Sequence, residues 1–321
     1  MVNLKIKKNI LEKLRCPICY SDLELIEGYI KCFNQKCKNI FPIVDGIPIL
    51  INDEISLFPI KSFLQKEDTF FKSQSRRKNI NKIIDKILPK ISLNIKAKKN
   101  YLNFAKSLLK INEKPLVLII GGSIIGKGLE RILSNPSIQF LETDVSFGPR
   151  TAIVFDAHNI PFKDSTFDGV IIQAVLEHVV DPYLAVEEVH RVLKNNGLVY
   201  AEVPFIEQVH GGKYDFTRFT YLGQRRLFRK FNEICSGATC GPGMALAWSY
   251  QYFLMSFFKS KFAMRFVKSF ARLTSFWLKY FDYILINNPV ALDAAAGYYF
   301  MGIKCNQILS DKELINLYKG D

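Results

Sequence analysis

From residue 115 onward the chain alternates unbroken apolar runs with amphipathic stretches, the pattern of strands buried on both faces and helices laid over them. PLVLII (115–120) and FDGVII (167–172) predict buried strands, the first running into a glycine turn at Gly121 and Gly122 and then into a helix. LAVEEVHRVLK (184–194) has apolar residues at helical spacing, NNG breaks it, and LVYAEV (198–203) begins another strand. FLETDVS predicts a strand ending in Asp144, and TAIVFDA one ending beside Asp156. Strands alternating with helical segments predict an α/β fold.

The amino-terminal segment LRCPICYSDLELIEGYIKCFNQKCKNIFPIVDGIPIL (14–50) has short runs instead, punctuated by Gly, Pro and Asn. Two residues separate Cys16 from Cys19, four separate Cys32 from Cys37, and twelve lie between the pairs. Two thiolate-bearing turns at that spacing can converge tetrahedrally on one Zn²⁺, so the segment predicts a small zinc ribbon. Four buried apolar cysteines are the alternative. Clustering four of the chain's seven cysteines within 22 residues, with Pro17 in one turn and Asn34 in the other, favours the metal. Disulfides are the poorer reading, because no apolar leader with a small-residue cleavage site is evident and three cysteines remain. A closed four-cysteine site serves structure or recruitment rather than catalysis.

Length fits more than one core: 321 residues divide into a ribbon at 1–53, a basic helical connector at 54–114 and an α/β domain at 115–321. Charge is uneven. Residues 1–115 hold 23 Lys and Arg against 11 Asp and Glu, whereas the remainder holds 21 against 19. Ile80, Ile83, Ile84, Ile87 and Leu88 fall at helical spacing among lysines, predicting a basic amphipathic helix whose charged face is either solvated or a surface for a polyanion or anionic membrane.

The stretch from Asp156 to Pro204 resembles a class I S-adenosylmethionine-dependent methyltransferase, methyltransferase type 11-like: IPF, FDGVI, LEHV, the RVLK helix and the following Gly recur there in this order. The resemblance covers roughly 115–303 and implies a Rossmann-like seven-stranded sheet whose last strand, AAAGYYFMGIK, is antiparallel. It also implies S-adenosyl-L-methionine as cofactor, held by Gly121, Gly122, Ser123, Asp144, Asp156, Ala157 and Gln173. Two positions depart from the family pattern. Ile119 stands where an acid is usual, and Ser123 where a second glycine is usual. Asp144 follows Gly121 by 23 residues, near the interval of about 20 at which a dinucleotide fold places its ribose-binding acid. Asp156 matches the carboxylate that accepts from the adenine amino group. Either aspartate could instead cap a helix or solvate a loop. The tail FPIVDGIPILI resembles the zinc-ribbon activator subunit that partners tRNA and translation-factor methyltransferases, here fused to its enzyme.

Ligands of open α/β sheets sit beyond the carboxyl ends of the strands, so acceptor chemistry is expected in VPFIEQVHGGKYDFTRFTYLGQRRLFRKF (203–231). His210, Asp215 and Arg218 cluster there among Phe205, Tyr214, Phe216 and Phe219. The PF…VH…YDFTRFT element is similar to one in bacterial methyltransferases linked to cell-surface glycan or lipid pathways. His210 is the candidate general base, Asp215 its companion and His178 in LEHV the second choice. In the opposing reading His210 and Asp215 only pin the loop, with Arg218 paired to Asp215. A helical insertion is expected at 245–287, where Phe262, Phe266, Phe270, Leu273, Trp277 and Phe281 form a stripe and Arg265, Lys268, Arg272 and Lys279 the other face. The stripe predicts a lid packed on the sheet or on a second subunit, or a helix in a membrane interface; its apolar runs are too short to span a bilayer.

The expectation is a cytoplasmic methyltransferase, possible also at the inner face of the membrane, acting on oxygen or nitrogen of a small-molecule or lipid-linked glycan acceptor. An RNA acceptor and a cofactor-binding scaffold without turnover are the alternatives.

Overall fold

The computed structural model describes residues 4–67 and 88–321. The amphipathic stretch expected at Ile80, Ile83, Ile84 and Ile87 lies outside them.

Short runs with Gly-containing turns make the ribbon an antiparallel sheet of β1 (Leu23–Ile26), β2 (Tyr29–Cys32), β3 (Ile40–Val44) and β4 (Ile47–Pro48). Asp45 and Gly46, with φ of 51° and 77°, form the two-residue β3–β4 turn, which requires left-handed backbone at both positions.

The α/β domain is one seven-stranded sheet: β5 (Leu116–Ile120), β6 (Gln139–Asp144), β7 (Ile153–Val154), β8 (Phe167–Gln173), β9 (Leu193–Pro204), β10 (Phe231–Cys240) and β11 (Gly297–Lys304). Their spatial order is β10-β11-β9-β8-β5-β6-β7, with β5 to β9 parallel and β11 antiparallel to both neighbours. The RVLK segment divides, for its helix ends at Val192 and Leu193 and Lys194 already belong to β9.

Period-two alternation sends successive side chains of the central strands into two cores. Leu118, Ile120, Val170, Ile172, Val199 and Ala201 face one. Val117, Ile119, Ile171, Leu198 and Tyr200 face the other, where Tyr101, Phe104 and Leu108 of the helix Ala97–Ile111 cover them. That helix therefore shares a core with the sheet, although it precedes residue 115.

The ribbon packs into the first core and onto the edge of the sheet. Leu50 N donates to Val154 O at 2.8 Å, Ile49 pairs in parallel with Val154, and Leu14 pairs with Phe162. Ile10, Leu14, Phe41 and Leu50 are buried in the same cluster as the strand residues. An edge that would otherwise offer unpaired backbone groups is thus capped. Because one core spans the seam, ribbon and domain should unfold together. Leu14→Ala should cost about 2–5 kcal/mol and leave a single denaturant transition by fluorescence and circular dichroism; two separated transitions would contradict the shared core.

Candidate functional site

In the ribbon the four cysteine sulfurs converge. Cys16 Sγ lies 3.8 Å from Cys37 Sγ, Cys19 Sγ lies 3.4 Å from Cys32 Sγ, and all four lie within 4.8 Å of one another. Tetrahedral Zn²⁺ with bonds of about 2.3 Å sets sulfur–sulfur edges of about 3.8 Å, so the residues fit a structural zinc. Asn39 Nδ2 donates to Cys37 Sγ at 3.1 Å, fixing one thiolate from outside the cluster.

The strand order reverses on either side of β5, and the crevice at the carboxyl ends of β5 and β8 is the ligand position of such sheets. Gly121 leaves β5 with φ of 77°, and a Cβ there would meet Val175 Cγ2 at 2.3 Å, so neither backbone nor space admits a side chain. Gly122 is different: its N donates to Thr143 O, and a Cβ would meet Ile119 and Glu142 on the sheet, which makes it a packing glycine. Ser123 N donates to Asp144 Oδ2 at 3.1 Å and Ser146 N to Oδ1 at 3.0 Å. The residue in the second glycine's place therefore ties the turn to the acid. Burial pushes the Asp144 carboxyl up against these hydrogen bonds.

Asp156 accepts from Ser56 Oγ and His158 Nδ1, both at 2.6 Å. Burial raises its carboxyl, but His158 and Ser56 together hold it below the usual carboxylate range. Leu57, Phe58, Asp144, Asp156 and Ala157 line a mostly apolar recess. Two buried carboxylates, Asp144 and Asp156, thus face one recess with apolar walls.

A second, wider recess shares Ile120, Gly121 and Ala174 with the first. Ala174 turns β8 into it with φ of 52°. Gln173 Oε1 accepts from Tyr101 Oη at 2.8 Å, and its Nε2 donates to Glu202 Oε2 at 2.7 Å. Asn94 Nδ2 and Tyr200 Oη also donate to Glu202, whose carboxyl burial nevertheless raises. Sequence reasoning passed over Glu202; a single acid inside the buried run VYAEVP was the available signal.

The loop after β9 brings both candidate histidines together. Their rings are 4.9 Å apart at 84°, and the Nε2 atoms of His178 and His210 lie 3.8 and 3.5 Å from Glu177 Oε1. Gly211 permits this approach, because a Cβ there would sit 2.5 Å from the His178 ring. Asp215 has a different place. It is buried and accepts from Arg218, His210 N and Gly211 N, so it fastens the loop. Burial opposes its ionisation, but Arg218 and those amides hold the carboxyl far below its usual range. Burial lowers the His178 imidazole, whereas Glu177 raises that of His210. Glu207 lines the same recess and is pushed up by burial. Glu177 and Glu207 were not foreseen, although Glu177 adjoins His178 in LEHV.

Two measurements follow from this geometry. Purified protein should carry one zinc per chain, and Cys32→Ser should abolish stoichiometric zinc and lower the melting temperature by at least about 5 °C, read by metal analysis and calorimetry. Asp144→Ala should weaken S-adenosylhomocysteine binding about 10- to 100-fold in titration calorimetry, with the circular dichroism spectrum unchanged.

A family model described as "Methyltransferase domain" matches residues 133–201. A demethylmenaquinone methyltransferase of Staphylococcus epidermidis is 37% identical over 67 residues, 19% of this chain, and the match covers only 28% of that protein's length. A UPF0434 protein of Ehrlichia ruminantium is 43% identical over 49 residues, which are 15% of this chain and 89% of that protein. Among solved structures, a complex between the Haloferax volcanii Trm112 methyltransferase activator and a methyltransferase is similar at 18% identity and a TM-score of 0.37, covering 68% of this chain and 100% of the other. The chain belongs to the UPF0434 family through its zinc ribbon, and behind that ribbon it carries a class I S-adenosylmethionine-dependent methyltransferase domain.

Proposed function

We propose that this protein is an enzyme that transfers the methyl group of S-adenosylmethionine to an oxygen or nitrogen atom of a cell-surface glycan or lipid-linked precursor. The observation that carries the reading is the shared wall of Ile120, Gly121 and Ala174 between a recess suited to a nucleoside and one lined by Glu177, Glu207 and His210. When bound, the cofactor supplies an electrophilic methyl carbon: the acceptor's lone pair forms the new bond while the carbon–sulfur bond breaks and its electron pair stays on sulfur. The chain's own work is positioning. Gly121 lets the backbone approach, Asp144 and Asp156 orient the nucleoside, and Asp215 with Arg218 holds His210 over the second recess. The proton lost by the acceptor goes to the imidazole–carboxylate cluster there, to which His210 contributes Nε2.

The lipid-linked acceptor is favoured by the helices Pro242–Ser256 and Lys261–Ser275 and the turns after them. Phe262, Phe266 and Ile284 are 83%, 72% and 79% exposed, with Phe257, Trp277 and Phe281 beside them. Lys259, Lys261 and Arg265 are exposed at the same edge. Bulky aromatics among cations suit the headgroup level of an anionic membrane. Among the described residues no helix is long and apolar enough to cross a membrane. A peripheral place at the inner face is therefore part of the proposal. The basic front of the chain favours RNA as the second reading.

His210→Gln should lower turnover about 10²- to 10⁴-fold while cofactor affinity stays within about twofold. The test is methyl-labelled cofactor supplied to membrane and RNA fractions in parallel. Label in the lipid-extractable fraction is expected. Label in RNA, with transfer falling steeply as salt rises, would replace the glycan reading, and absence of cofactor binding would leave only a scaffold.

A further inference from the structure

Glu177 is buried without being satisfied. Its side chain has no exposure, and neither carboxylate oxygen has a hydrogen-bond partner among the described residues. The neighbouring cation, Arg218, is committed to Asp215 and to the carbonyls of Glu207 and Gln208. A carboxylate removed from water with no donor is unfavourable unless positive charge stands beside it.

The two imidazoles facing Glu177 are oriented alike. His178 Nδ1 lies 2.9 Å from Tyr214 O, and His210 Nδ1 lies 3.3 Å from Gln208 O. A carbonyl oxygen only accepts, so in each neutral ring Nδ1 carries the hydrogen and Nε2 presents its lone pair towards Glu177 Oε1. Three ligand atoms, one from each residue, thus lie within 4.8 Å of one another. Nitrogen and oxygen ligands at about 2.0–2.2 Å from a metal stand about 3.0–4.2 Å apart, and the observed separations of 3.5 and 3.8 Å fall in that range. Backbone carbonyls that hold the outer ring nitrogens are the usual support of metal-binding histidines.

We propose that Glu177, His178 and His210 bind a first-row divalent cation, with Glu207 beside them in the wall of the second recess. Two imidazoles and a carboxylate on one face leave coordination positions open towards the recess, the arrangement that suits cations accepting mixed nitrogen and oxygen donors. For its role the site rests on the methyl-transfer reading: a cation here draws an acceptor hydroxyl to the end of the cofactor crevice and acidifies it, and the proton passes to Glu207. With the cation bound, His210 serves as a ligand and Glu207 takes its place as proton acceptor, which accounts for the contact of His210 with Glu177 and for the close approach that Gly211 allows.

The experiment uses full-length protein retaining its ribbon zinc, stripped of weaker-bound metal and titrated with Co²⁺. One further Co²⁺ per chain is expected, with visible ligand-field bands and without the thiolate charge-transfer bands that a ribbon-bound ion would add. His210→Ala and Glu177→Gln should each weaken that binding by about 100-fold or more. His210 sits on a partly exposed loop, so its variant decides the matter even if the Glu177 variant fails to fold. A wild-type protein that takes no second cation would overturn the proposal and leave Glu177 paired with a protonated His210; unchanged Co²⁺ affinity in both variants would overturn it too. S-adenosylhomocysteine titration of the same samples separates the two readings. Cofactor binding without a second cation removes the metal site alone, and a second cation without cofactor binding removes methyl transfer alone.

Discussion

The seam between Ile49–Leu50 and Val154 is the contact on which the rest of this protein depends. Two backbone positions extend the sheet by the ribbon's exit strand, and Leu14, Phe41 and Leu50 bury their side chains in the core that also holds Leu118 and Val170. A ribbon of this size has too little apolar surface to fold alone, so zinc supplies its order and the seam transmits that order to the sheet edge. The chain leaving the seam then reaches the cofactor crevice. Ser56 donates to Asp156, and Leu57 and Phe58 wall the first recess. Metal in the ribbon and shape in the first recess are therefore parts of one mechanical chain.

The crevice itself is organised by buried carboxylates with opposite surroundings. Glu202 collects donors from Asn94, Gln173 and Tyr200. Glu177, in the same recess, has imidazole nitrogens facing it and no donor. One is a finished hydrogen-bonded network, while the other depends on the imidazoles beside it for positive charge. Asp144 and Asp156 lie between these extremes, each holding part of its capacity in backbone or side-chain bonds while facing the first recess. Ser123 shows how a departure from the family pattern is absorbed: its amide supports Asp144.

The helical pair between β10 and β11 reverses the usual sense of an amphipathic stripe. The small residues Ala271 and Ser275 are buried against the preceding helix, and the phenylalanines point outward. Lys279, expected on the polar face, is buried with its ammonium on Lys90 O. Periodicity states that two faces differ; it carries no sign for which face meets protein. Close approach of two helices selects small side chains, and that leaves the aromatics exposed.

The sequence by itself determined the elements and their chemistry wherever the signal was local. Unbroken apolar runs fixed the strands of the sheet, because a strand buried on both faces must be apolar throughout. The spacing of Cys16, Cys19, Cys32 and Cys37 pointed to a metal site because two short turns hold all four ligands, and Asp144 and Asp156 stood out as acids at or just beyond the ends of β6 and β7. Tertiary structure alone decided what distant segments do to one another. His178 and His210 are 32 positions apart and meet only because the loop after β9 folds back over the end of β8. Asp215 was legible as part of a polar cluster, but its commitment to Arg218 and two amides is a matter of packing geometry. Glu177 and Glu202 were hidden for the same reason: an acid in an apolar run becomes informative only when the donors that reach it, or fail to, are brought in from other strands.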